Sequence, residues 1–125
     1  MVPVFLASLA SSQAQWLAAR QTTIASNVAN ANTPGYQVRD VTPFSAVLDN
    51  ASLTLASTNP AHIDPGAGLA PTEKVSKSDS WEVFHSGNSV ALEQEMMKAG
   101  EVNQGYALNT AIVKSFFRMV SMSAK

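Results

Sequence analysis

The sequence predicts a mainly α-helical chain. Two long helices at its N- and C-terminal ends pair as an antiparallel coiled coil, and an irregular middle with short strands or a hairpin joins them. Three observations carry this. Both ends of the 125-residue chain repeat apolar residues at helical spacing. Thr33-Pro34-Gly35 forms a sharp stop after the first repeat. Four prolines, Pro43, Pro60, Pro65 and Pro71, then break up the middle. The expected segments are residues 1–33, 34–88 and 89–125, folding as one unit.

The first segment is free of Gly and Pro from Val4 to Asn32. Leu6, Ala10, Ala14, Leu17, Ile24 and Val28 form one stripe, and Phe5, Leu9 and Trp16 widen it. A helix of this extent is about 42 Å long. Proline followed by glycine suits positions i+1 and i+2 of a type II turn at its end. In the middle, Ser52–Ala56 and Ser80–Phe84 alternate like short strands, and Pro43–Leu48 suits a turn of helix. The last segment, Val90–Ser123, carries Leu92, Met96, Ala99, Val102, Tyr106, Val113, Phe117 and Val120 in steps of three, four or seven, and Met97, Ile112 and Phe116 broaden the face. Glu93 and Glu95 near its start, with Lys114 and Arg118 near its end, follow the order a helix dipole favours. Gly100 and Gly105 interrupt it, each either a tolerated weak spot or a close approach of another backbone. Both stripes are wide enough to face neighbouring subunits as well as each other.

Composition narrows the function. Only 14% of residues are charged, against roughly 25% in ordinary proteins. A net charge of −1 with eight Lys+Arg argues against nucleic-acid binding. Without cysteine there is no thiolate nucleophile and no cysteine-held metal. His62 and His85 are 23 residues apart with no ligand spacing around them. Ser, His and Asp lack a Gly-x-Ser-x-Gly elbow. Glu93 and Glu95 point to different sides of a helix and read as dipole partners. Trp16 and Trp81 read as packing residues. The expectation is therefore no catalytic, cofactor or metal site. Residues 1–10 lack the basic start of a cleavable signal and are too short to span a bilayer.

The informative constellation is Asn27-Val-Ala-Asn-Ala-Asn-Thr-Pro-Gly-Tyr36. Asn27 and Asn30 lie one helical turn apart. Their amides either tie the helix end to a crossing backbone, or Asn30 or Asn32 simply caps the helix. This segment resembles the N-terminal motif of the flagellar rod, hook and hook-associated protein family, which reads Asn, two residues, Asn, two residues, Thr-Pro-Gly-Tyr. Gly87-Asn88-Ser89-Val90 with Leu92, Glu93, Glu95 and Met96, then Asn103, Tyr106, Lys114 and Phe117, resembles the C-terminal part of a short member without inserted domains. Gln37–Val41 and Asn59–Ile63 also suit it. Ala91 departs from the family, which often has Asp there, and this weakens an expected N-cap.

The resemblance implies a structural subunit of the proximal rod, exported through the flagellar type III channel without a cleaved signal. The implied neighbours are its own copies, the proximal rod proteins FlgC and FlgF, the ring–rod junction protein FliE and the export-gate proteins FliP and FliR. Asn27, Asn30, Thr33, Pro34, Gly35 and Tyr36 then fix where the helix stops. Leu17, Ile24, Tyr106, Val113 and Phe117 carry burial within and between subunits, and Gly87, Asn88, Leu92, Glu93 and Met96 complete the motif set. The alternative is a soluble helical adaptor or export chaperone that binds a partner helix.

Overall fold

The structure is a computed structural model that describes residues 2–49 and 75–124. Helix α1 spans Val2–Ala29, strand β1 Arg39–Val41, the short helix α2 Phe44–Asp49, strand β2 Val75–Lys77 and helix α3 Leu92–Ser123. Both long helices are present, and α1 stops one turn before Thr33. No described helix is long and apolar enough to cross a membrane.

The two helices run antiparallel, as the partner pairs show. Along α1, Ala10, Ala14, Leu17, Arg20 and Asn27 meet Asn109, Tyr106, Gly105, Glu101 and Glu95 of α3 in turn. Leu17, Ile24 and Val102 form the buried apolar cluster, with Trp16, Ala99 and Tyr106 packed against it. Gly105 explains how closely the helices meet. A Cβ there would lie 2.8 Å from Leu17 Cδ2. The glycine therefore accommodates a leucine side chain rather than another backbone, whereas around Gly100 the space is open.

The expected α3 stripe needs correction. Val102 is buried and Tyr106 and Val113 are half-buried, but Leu92, Met96, Phe117 and Val120 are exposed. The α3 residues buried alongside Val102 are Glu95, Lys98 and Asn109. On α1 the seam likewise turns from Ile24 to Thr23 and Asn27, leaving Val28 exposed. Helical spacing groups residues on a face but does not say which face is inside when polar side chains can satisfy one another there.

β1 and β2 pair antiparallel, with Asp40 opposite Ser76. Ser80–Phe84 is not a strand. Its backbone is held by side chains and loop groups instead: Trp81 N–H donates to Gln94 Oε1 at 3.4 Å and Phe84 N–H to Asn88 O at 2.8 Å. Trp81 is exposed and so does not pack as expected. Trp16 does, donating from Nε1 to Thr42 O at 2.7 Å and lying 5.9 Å from the Phe44 ring. The Ser52–Ala56 strand, the Asn59–Ile63 segment, His62 and Pro60, Pro65 and Pro71 lie outside the described residues.

Candidate functional site

The motif residues gather where α1 ends and α3 begins. Past Ala29 the chain cannot continue as helix because Pro34 has no N–H to give. Tyr36 N–H bonds Thr33 O at 3.2 Å, closing a turn whose third residue, Gly35, has φ +73°. That positive φ is the type II requirement. Gly87 has φ +79° in the lead-in to α3, and a Cβ on it would lie 3.5 Å from Gly35 Cα. The two turns therefore pack backbone to backbone. Gly35 N–H donates to Ser86 O and Ser89 N–H to Tyr36 O, both at 3.0 Å.

The two asparagines of the motif divide its work. Asn27 is fully buried. Its Nδ2 donates to Arg39 O at 2.7 Å and to Glu95 Oε2 at 3.0 Å. Its Oδ1 accepts from Arg39 N–H at 3.2 Å and from the Tyr36 hydroxyl at 3.3 Å. One amide thus joins α1, β1 and α3. Asn30 acts locally: Nδ2 donates to Ser26 O at 2.8 Å and Oδ1 accepts from Thr33 Oγ1 at 3.2 Å. The tie and the cap are both present, on different residues.

Asn88 answers from the other side. Its buried amide donates to Asn30 O at 2.8 Å and Thr33 O at 2.7 Å, a second bond to carbonyls that Thr33 N–H and Tyr36 N–H already reach within the turn. Its Oδ1 accepts from Val90 N–H at 2.8 Å. Ser89 Oγ accepts from Val38 N–H at 2.8 Å. Ala91 is the N-cap of α3 without a side-chain cap bond. Thr33 and Pro34 themselves are exposed on the turn.

A chain of charges runs inward from this junction. Lys98 Nζ lies 3.2 Å from Glu95 Oε1 and 3.3 Å from Asp40 Oδ2. Arg20 reaches Asp40 Oδ1 at 3.3 Å and Glu101 Oε2 at 2.9 Å, and its guanidinium stacks 5.5 Å from the Trp16 ring centre. Glu95 is therefore more than a dipole partner; it is a fully buried carboxylate held by Asn27 and Lys98. Glu93, two residues earlier, stays exposed. Among the described residues, no buried side-chain nitrogen or oxygen lacks a partner. Sequence reasoning missed Arg20, Asp40, Lys98 and Asn109. The available signal was that Arg20 is the sole charge before Arg39, in a helix otherwise free of charge.

This arrangement holds two helix ends and a strand together and leaves its polar groups satisfied. A sequence model of the family described as "Flagella basal body rod protein" matches residues 10–37, which includes Asn27 to Tyr36. A flagellar basal body rod protein FlgB of Agrobacterium fabrum is 43% identical over 130 aligned residues, covering 100% of this chain and 96% of the relative. The chain belongs to the flagellar basal body rod proteins. The FlgB proteins of Escherichia coli K12 and Shigella flexneri are each 30% identical over 103 residues, covering 74% of this chain and 72% of the relative. As a member of this family the chain is a structural subunit of the basal body rod, and the adaptor or chaperone reading gives way to it.

Proposed function

We propose that this rod subunit belongs to the proximal rod and acts through helix packing alone, without catalysis. The α1/α3 pair stands side by side with pairs from other subunits, including its own copies, FlgC, FlgF, FliE and the gate proteins FliP and FliR. Contacts that join different patches on successive copies do not close on themselves and so build a tube. The chain reaches its place across the periplasm by type III export without a cleaved signal. The motif junction, from Asn27 to Tyr36 with Gly87 and Asn88, fixes where the packed shaft ends and the outer segment starts.

The observation that carries this reading is the surface of α3. Leu92, Met96, Met97, Leu108, Phe117 and Met122 are each more than two-fifths exposed on a helix that turns Glu95, Lys98 and Asn109 into the seam. An isolated helix pair gains nothing from such a surface, whereas a packed shaft buries it.

Leu108→Glu tests it. Leu108 is 59% exposed, so the change leaves the seam intact and places a charge where a neighbouring helix would pack. The expected result is export of the full-length variant, absence from detergent-extracted basal bodies and loss of swimming. Normal swimming with the variant seated in the rod contradicts the packing role.

A further inference from the structure

The last turns of α3 sort their side chains by sector. Over residues 112–124, at about 100° per residue, Lys114, Arg118 and Ser121 fall within about 60° of arc. In the sequence Lys125 continues the same spacing. The apolar side chains run from Met122 through Ile112, Phe116 and Val120 to Phe117 and fill about 220° on the other side, with Ser115 and Ser123 as the polar residues among them. Helix α1 covers only part of this arc. Val113 and Phe116 are half-buried, while Phe117, Met119 and Met122 are 62%, 61% and 71% exposed. The charge here is of one sign. Residues 102–125 contain no Asp or Glu, and α1 contributes none, since the first acid in the chain is Asp40. Among the described residues, neither Lys114 nor Arg118 has an ion-pair partner. The net charge of −1 conceals this asymmetry, because Asp79, Glu82 and Glu93 lie exposed around the start of α3.

We propose that residues 112–124 are a docking segment for an anionic lipid surface, used by the chain before it packs into an assembly. A helix that lies in a bilayer interface needs a broad apolar side and cations on its polar side. This segment has both. Lys114 and Arg118 carry their charges on flexible stems that reach headgroup phosphates while the apolar arc enters the interface. The width of the arc selects lipid among anionic partners. A helix packed on a protein buries a stripe of roughly 100°. Nucleic acid binds through its phosphates and leaves Phe117, Met119 and Met122 without a partner. A lipid interface takes the whole arc. No described helix is long and apolar enough to cross a membrane, so the segment lies on the surface and does not span it. Docking needs only that this segment become helical at the interface, so it does not depend on α1 and α3 being paired in the free chain. It goes beyond the rod packing proposed above and alternates with it, since Phe117 and Met122 serve both.

The test uses the purified full chain and vesicles of phosphatidylcholine alone or mixed equally with phosphatidylglycerol. Each cation near an anionic surface strengthens binding about fivefold, so three cations give a preference for the mixed vesicles of roughly a hundredfold. Lys114→Gln with Arg118→Gln is expected to weaken that binding about twentyfold, and Lys114→Arg with Arg118→Lys to retain it. Phe117→Ser with Met122→Ser is expected to lose it with every cation in place. The absence of native cysteine allows a polarity-sensitive dye at single sites. On mixed vesicles the emission of a dye on Met122→Cys is expected to shift to the blue, and that of a dye on Ser121→Cys, in the cationic sector, to stay unchanged. Equal partitioning onto neutral and mixed vesicles overturns the proposal, as does an equal shift at 121 and 122. So does binding of soluble polyglutamate or duplex DNA as tight as that of mixed vesicles, because the partner would then be an acidic protein or a nucleic acid. Leu108→Glu lies ahead of the segment, so its effect on rod incorporation is read independently of vesicle binding.

Discussion

Asn27→Asp is almost isosteric, yet it reverses the polarity of an atom that makes two bonds across the junction. Nδ2 sits 2.7 Å from Arg39 O and 3.0 Å from Glu95 Oε2. The substitution puts an acceptor oxygen there. A bond to a neutral carbonyl is lost, about 1 kcal/mol, and one to a carboxylate, about 2 kcal/mol. Two unit charges at that separation repel by about 5 kcal/mol at an effective dielectric of about 20. Uptake of a proton by one of the facing carboxyls limits the sum, so the net loss is about 5 kcal/mol. That is comparable with the entire stability of a small domain. It lowers the population of the native junction by more than a thousandfold. Co-expressing variant and native chains and counting both in purified basal bodies by mass spectrometry reads the effect as a ratio, expected below one in ten. Asn27→Leu loses the same bonds without adding charge and is expected to fall between the two. Equal incorporation of Asn27→Asp and native chains refutes the reasoning, and equal defects in Asp and Leu variants refute its electrostatic part.

Two further outcomes follow from distances at the seam and the junction. Gly105→Val forces Leu17 aside from a 2.8 Å approach, at a cost of about 2–3 kcal/mol, and Leu17→Ala in the same chain is expected to restore incorporation into basal bodies by making room. Asn88→Ala removes three hydrogen bonds, about 3 kcal/mol in total, and is expected to accelerate amide hydrogen exchange at Val90, whose N–H loses its acceptor, while exchange at Val102 stays slow.

The helices, their antiparallel pairing and the turn at Thr33–Tyr36 were legible because they follow from local causes. Spacing of apolar residues makes α1 and α3 visible, and proline and glycine chemistry makes the stop visible. Leu17 and Ile24 are legible the same way, since beyond Leu9 the large apolar residues of α1 are Trp16, Leu17, Ile24 and Val28. α3 has apolar residues on more than one face, and spacing alone drew the stripe through Leu92, Met96 and Phe117 rather than Glu95, Lys98 and Asn109. Burial of those three depends on Asn27, Asp40 and Ala10, which are distant in the chain, and no local pattern encodes such partners. The two asparagines show the same limit. Their spacing puts Asn27 and Asn30 near one another, but only the position of Arg39 and Glu95 makes the first a tie and the second a cap.

The backbone contact between Gly35 and Gly87 has a consequence for how the chain is routed. Gly35 N–H meets Ser86 O, so everything between these residues departs and returns through a single narrow neck. Arg39, Asp40, Thr42 and Phe44 lie past the neck yet stay tied to α1 through Asn27, Arg20 and Trp16, so the helices are insulated from chain length only beyond these residues. Doubling the length of a flexible loop adds only about 0.6 kcal/mol of closure cost when its ends are already pinned together. The neck is thus a place where this architecture can lengthen or shorten the chain beyond Phe44 while the shaft keeps the same two helices and, with Asp40 in place, the same seam.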